Sequence, residues 1–410
     1  MAINIVNRLM LFLIFLVPLV SCVTQPLFYN SIFMSLLGLC LVYAVLSHKM
    51  PPADKSVMLP AVLFLAYLVI PVLFSKNPLV SARYLFEFSV CVACFLVFSN
   101  AANDLKRKVV FVVILSSFFV SLYAIYQHFA SFALIQQMIS ENKTILYGVD
   151  TAALKKALRL GRAVSTFPSG NLLSAYLAMT GIVSIGYISD MRAYNKRFFL
   201  IVVVLAANIT AAYFSYSLSG AVCFAAGFLM FLAFVIFKKQ EFFKKYLLWF
   251  IIQGVAIFAL LAAMCIKWHD LSATLNYHLV NSIQYRLAAW KPLLAALRDN
   301  PFQFLGPGNY RVFSGNEYSI FVHNIFLQLW IESGITGLII FVWLIISVYK
   351  KALRNLSSSG TRPYMQIGLI AAAFAFLLQN MAEFSFFIAQ AALIWWILFA
   401  LMAADDTFKV

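Results

Sequence analysis

The chain has 410 residues, of which 64% are hydrophobic and 11% charged, with a net charge of +16. About a quarter of a soluble globular domain is charged, so this composition excludes that class. The basic residues sit mainly in short loops between apolar runs, which marks membrane topology and not a nucleic-acid surface.

Apolar runs of roughly 17–25 residues cross a bilayer core of about 30 Å as helix. Lipid offers no other partner for backbone N–H and C=O groups, so each run must be helical. Such runs fall at about 6–24, 28–47, 57–75, 84–100, 109–130, 170–189, 198–215, 217–237, 246–266, 321–349, 365–383 and 385–404. The reading is an all-α integral membrane protein of about 12 transmembrane helices, one polytopic domain over residues 1–410.

The first run ends Leu19-Val20-Ser21-Cys22, like a lipoprotein signal, but it leads directly into the next run and is expected to stay as an uncleaved helix. All six cysteines (Cys22, Cys40, Cys91, Cys94, Cys223, Cys265) lie in or beside apolar runs. Cys91-x-x-Cys94 has redox or zinc spacing, but with no second pair and no histidine near it in sequence it reads as packing.

Alternate loops are basic: His48-Lys49 with Lys55, Lys106-Arg107-Lys108, Arg192 with Lys196-Arg197, Lys238-Lys239 with Lys244-Lys245, and Lys350-Lys351 with Arg354 and Arg362. Only Lys76 and Arg83 break the pattern. The positive-inside rule then puts both termini in the cytoplasm and turns two long inserts, about 131–169 and 267–320, outward. No internal repeat is visible, nor the paired broken helices of many secondary transporters.

Acids inside membrane runs are costly and are functional by default. Glu87 and Glu383 lie near run ends, where reaching the interface is the competing reading. Glu332 follows His323 by nine residues, two and a half helical turns, so the two face different ways and Glu332 is expected to pair with a basic residue.

The first insert reads as a short basic amphipathic helix over Thr151–Leu160, followed by Arg162 and Ser165-Thr166-Phe167-Pro168-Ser169-Gly170-Asn171 at the mouth of the next run. Asn171 suits a helix cap, or Arg162 and the free N–H groups there face an anion. In the second insert Ile283, Leu287, Trp290, Leu294 and Leu297 recur at spacings of four and three, an amphipathic helix with Pro292 inside it. Arg286 lies beside that stripe, so its guanidinium can point inward. Gly306-Pro307-Gly308-Asn309 is a tight turn whose glycines allow close approach to a neighbour or ligand.

These residues resemble the O-antigen ligase and polymerase superfamily of bacterial envelope enzymes over roughly residues 160–345. Three blocks carry the likeness. They are Arg162 to Asn171; Tyr285-Arg286-Leu287-Ala288-Ala289-Trp290 with Asp299-Asn300-Pro301 and Gly306-Pro307-Gly308; and His323-Asn324 with Glu332-Ser333-Gly334-Ile335-Thr336-Gly337. The resemblance, nearest to an O-antigen ligase, implies a twelve-helix glycosyltransferase of the bacterial inner membrane with its active site facing the periplasm. Its donor is a polyprenyl diphosphate-linked glycan, and its acceptor is lipid A–core or a growing glycan. His323 matches the family's catalytic histidine and Arg286 the basic residue assigned to the diphosphate. Leu218 stands where the family often has an arginine, so Arg162, Arg159 or Arg311 is expected to supply that charge. Asn171, Asn324, Gly306 and Gly308 complete the expected substrate site.

The chemistry suits those residues. A histidine is mostly neutral at about pH 7 and can take the acceptor's proton, which typically contributes about 10²–10⁴-fold. The sequence has no Asp-x-Asp and no His/Cys cluster, so no metal and no cofactor are expected, and arginine forks meet the leaving diphosphate. Polymerisation, protein glycosylation and, in another class, a lipid-glycan flippase are the alternatives.

Overall fold

The structure is a computed structural model that describes residues 2–20, 33–47, 54–131, 161–191, 195–238, 272–315, 321–358 and 363–404. The expected run at 246–266, the amphipathic stretch 151–160 and Arg159 lie outside the described residues. The helices are α1 (Ala2–Leu16), α2 (Met34–Ser47), α3 (Lys55–Leu73), α4 (Pro78–Ser99), α5 (Asn103–Tyr126), α6 (Gly170–Asp190) and α7 (Lys196–Phe214). They continue with α8 (Leu218–Lys238), α9 (Ser272–Asp299), α10 (Tyr310–Ser314), α11 (Ile325–Ser358), α12 (Tyr364–Gln379) and α13 (Ala389–Ala403). No strand occurs among the described residues.

Seven of these helices are long and apolar enough to cross a membrane. Four further apolar helices are shorter: Ile5–Leu16, Met34–Tyr43, Tyr364–Gln379 and Ala389–Ala403. The protein is a multi-pass, all-helical membrane protein. The short helices are explained in part by where they sit. Every residue of α13 is buried, Trp395 and Trp396 included, so protein and not lipid surrounds it. α13 packs mainly on α4 and α12, while α6 and α12, buried along most of their length, pack on each other. They approach closely at Gly186 and Gly368, where a Cβ on Gly186 would stand 3.0 Å from the Gly368 Cα. Small residues at such a crossing let backbones meet in place of side chains. Cys91 and Cys94 are free and buried on α4.

The structure divides the run expected at 321–349. α11 contains Gly334 at φ 71 and ψ 172, which is not helical. Such a break is tolerated at membrane depth only where other groups take up the freed polar atoms. Here the segment 301–306 does so. The Leu305 and Gly306 N–H groups donate to the Ile331 and Glu332 carbonyls at 3.0 Å, and Ile335 N–H donates to Pro301 O at 2.9 Å. The Tyr67 hydroxyl donates to Ser333 O at 3.0 Å. The polar insert is thus woven into the membrane helix instead of lying above it.

Two contacts tie α3 to its neighbours at opposite ends. At its start, Asp54 pairs with Lys351 at 2.9 Å. After its end, Ser75 and Ser81 accept from Asn309 Nδ2 at 2.9 and 2.8 Å, which pins the 306–309 turn to the α3–α4 corner.

Gly334→Ala forces a Cβ into a backbone region that is nearly glycine-only and brings it toward Phe302 O, 3.1 Å away. The expected cost is about 1–3 kcal/mol. Denaturant unfolding in detergent measures it, and unchanged stability would show that the break is not needed.

Candidate active site

The segment before α11 is held at almost every polar atom. Asn324 caps the helix: its Oδ1 accepts from Phe326 and Leu327 N–H, both at 3.0 Å, and its Nδ2 donates to Met381 O at 3.0 Å. Ile325 N–H donates to Asn380 O at 2.8 Å. Between these anchors His323 takes φ 58, a left-handed conformation that costs a non-glycine residue about 1–3 kcal/mol. Its ring packs edge-on to Phe384 with centroids 5.0 Å apart. About a quarter (26%) of the side chain stays exposed.

The geometry that turns this histidine inward centres on Glu383. α12 ends at Gln379, and Asn380 then folds the chain back: its Nδ2 donates to Phe376 O at 2.8 Å and its Oδ1 accepts from Phe386 N–H at 2.7 Å. That turn buries Glu383 to 2% exposure, so it does not reach the interface. A buried carboxylate costs several kcal/mol unless partners repay it. Glu383 Oε1 accepts from Arg286 Nη2 at 2.7 Å and from Asn171 Nδ2 at 2.7 Å. Its Oε2 lies 3.7 Å from His323 Nδ1, which is buried and has no hydrogen-bond partner among the described residues.

Asn171 leads on to Arg162. The Asn171 Oδ1 accepts from Arg162 Nη2 at 2.9 Å, while Arg162 Nε donates to Ser215 O at 3.0 Å. The helix cap expected of Asn171 falls to Ser169, which accepts from Leu172 N–H. This frees Asn171 for the cluster. Burial pushes the Arg162 guanidinium below the ordinary arginine range, and the Glu383 charge pushes it back up. An arginine does not lose its proton, so the downward shift expresses the cost of burying its charge, which Glu383 offsets only in part. Gln127 fixes the segment carrying Arg162, its Oε1 accepting from Ser165 N–H at 2.6 Å and its Nε2 donating to Ser165 O at 3.1 Å. Beside it a small apolar recess lies between α6, α7 and α8, lined by Ser174, Leu177, Leu205, Ala212, Gly220 and Phe224 among others. Ser174 ties this recess to the cluster by donating to Asn171 O at 2.8 Å.

α9 presents Arg286 to this point because its inner face is fixed elsewhere. Leu293 and Leu297 are fully buried with Tyr310, Val322 and Ile331, and Trp290 packs against them. Leu287 and Leu294, expected on the same stripe as Trp290 and Leu297, are exposed. The buried face therefore runs through 290, 293 and 297.

The structure brings together His323, Arg286, Arg162 and Asn171, and adds Glu383. Among the described residues, Gly306, Gly308 and Arg311 go elsewhere, and Asn324 has another task. Gly306 (φ 87) lies against Ser75 and Ser81, and Gly308 (φ 76) against the Tyr84 ring, so their close approach is to the α3–α4 corner. Arg311 is exposed on α10, where its carbonyl accepts from Gly315 N–H. The Asn324 side chain is used in capping. Glu332, expected to meet a basic residue, instead accepts from Gln328 Nε2 at 2.5 Å and faces the Gly308 and Tyr310 N–H groups. Glu87 pairs with Arg83 one turn away at 3.1 Å.

Residues 200–342, about a third of the chain, match the family model described as O-Antigen ligase. That segment is similar to the O-antigen ligase family. No curated protein matches it in sequence. The family segment contains Arg286 and His323, whereas Arg162, Asn171 and Glu383 lie outside it. The cluster therefore joins residues inside the matched segment to residues outside it.

Removing one partner of a buried ion pair leaves the other uncompensated, at about 3–5 kcal/mol. Glu383→Ala and Arg286→Ala are each expected to lower stability in detergent, with the double variant well short of their sum. A double-mutant cycle on unfolding reads this coupling, and strict additivity would contradict the pair.

Proposed function

We propose that this protein transfers glycan from a polyprenyl diphosphate to a hydroxyl of lipid A–core. In this reading it spans the bacterial inner membrane with about twelve helices, both ends cytoplasmic, and the cluster around Glu383 faces the periplasm. The observation that carries the proposal is the meeting of His323, Arg286 and the Asn171–Arg162 pair on one buried carboxylate, within a family of envelope-glycan enzymes.

The reaction follows from the groups. The acceptor hydroxyl gives its proton to the imidazole as its oxygen bonds the anomeric carbon of the donor sugar. The carbon–oxygen bond to the diphosphate breaks, and the electron pair leaves with the diphosphate. Arg286 and Arg162 meet that growing negative charge; arginine forks match phosphate oxygens, and such hydrogen bonds are about twice as strong as neutral ones. Glu383, 3.7 Å from the ring, stabilises the imidazolium that forms until water takes the proton. At about 4 Å and an effective dielectric near 20, a charge pair is worth of order 4 kcal/mol, enough to matter to a barrier.

Arg162 supplies the charge that Leu218 does not. Its guanidinium donates to Ser215 O, three residues ahead of Leu218, at the turn that opens α8. The apolar lining of the small recess between α6, α7 and α8 suits contact with the donor's isoprenoid tail. With guanidinium groups as the counter-charge, transfer needs no metal.

In a strain lacking the gene, His323→Ala and Arg286→Ala are expected to accumulate in the membrane yet lose transfer by about 10²-fold or more. Arg286→Lys is expected to be clearly impaired because a point charge does not reproduce the fork. Capped lipopolysaccharide, read on gels beside an immunoblot, reports the outcome. Transfer at the wild-type level by either alanine variant would remove that residue from the mechanism. Loss of the chain-length ladder alone in the deletion strain would reassign the product to a polymer. A chelator that stops the purified enzyme would overturn metal-free transfer.

A further inference from the structure

We propose that Gln328, itself oriented by Glu332, is the positioning residue for His323. This rests on His323 being the base. Gln328 is 1% exposed on α11 and Glu332, 2% exposed, sits one turn further along the same face. Both ends of the Gln328 amide are used: Oε1 accepts from Val322 N–H at 2.6 Å, and Nε2 donates to Glu332 Oε1 at 2.5 Å. The Val322 carbonyl accepts from Trp290 Nε1 at 2.8 Å. Side chains thus hold both polar groups of the residue before His323, while Asn324 is fixed on the other side as the helix cap.

His323 sits between these two pinned neighbours in a left-handed conformation that an unclamped histidine rarely takes. Letting φ relax would swing the ring away from Glu383. Gln328 therefore decides where the imidazole stands, and Glu332 decides which way the Gln328 amide points. The Glu332 carboxylate also faces the Gly308 and Tyr310 N–H groups of the segment that follows α9. One carboxylate links the chain descending from Arg286 to the backbone that presents the histidine.

The donor and acceptor pattern gives a discriminating test. Glu332→Gln puts an NH₂ where donors already point, and Gln328→Glu sets two carboxylates side by side. The double exchange restores the pattern: a carboxylate at 328 accepts from Val322 N–H and from the amide at 332, whose oxygen accepts from the 308–310 backbone. With purified protein, a lipid-linked glycan donor and lipid A–core, Gln328→Met and each single exchange are expected to lower kcat by about tenfold or more, with the donor KM little changed. The double exchange is expected to recover most of kcat. Hydrogen exchange at the Val322 amide is expected to speed up in Gln328→Met and to return toward wild type in the double variant. Wild-type kcat in Gln328→Met beside an inactive His323→Ala overturns the clamp and leaves the base in place. A double exchange no better than the singles, or a loss wholly in KM, also overturns it. Wild-type kcat in His323→Ala removes the base and the clamp together.

Discussion

A buried carboxylate must be matched by donors, and Glu383 draws those donors from across the chain. Arg286 is 97 residues away and Asn171 is 212, yet both reach the same oxygen at 2.7 Å. Satisfying one acid therefore fixes α9 against the α12–α13 turn and the start of α6 at one point. His323 stands at the acid's second oxygen, and Arg162 joins through Asn171. Stability and site geometry are the same contact seen from two sides.

That arrangement depends on the polar insert being part of the bundle. A continuous helix from Ile325 to Ser358 would leave the 301–306 segment without partners. Gly334 opens α11, the freed carbonyls bind that segment, and Asn309 ties the next turn to the α3–α4 corner. α9 is thereby anchored at its end and through Leu293 and Leu297, which leaves Arg286 to point at Glu383. The strain at His323 is held by the same stitching.

The membrane character and most helices were legible because length and apolarity govern a chain in lipid. Arg286 was legible as an inward-pointing group from its place beside an apolar stripe, although the buried face proved to run through Leu293 and not Leu294. His323 was singled out through family likeness alone. Glu383 was not, because an acid at the end of an apolar run looks the same whether it reaches water or a guanidinium, and its partners follow no periodicity. Gly306 and Gly308 signalled a close approach correctly, but sequence could not say that the neighbour was the chain's own Ser75, Ser81 and Tyr84. For Glu332, the helical geometry excluded direct contact with His323 but could not foresee Gln328 as an intermediary.

The most direct measurement is a cryo-EM structure of the full chain in lipid with a polyprenyl diphosphate bound. The account predicts the diphosphate within hydrogen-bond distance of Arg286 and Arg162, its isoprenoid tail entering between α7 and α8, and His323 still facing Glu383. A diphosphate bound away from both guanidinium groups, or on the face of the membrane opposite His323, would contradict it.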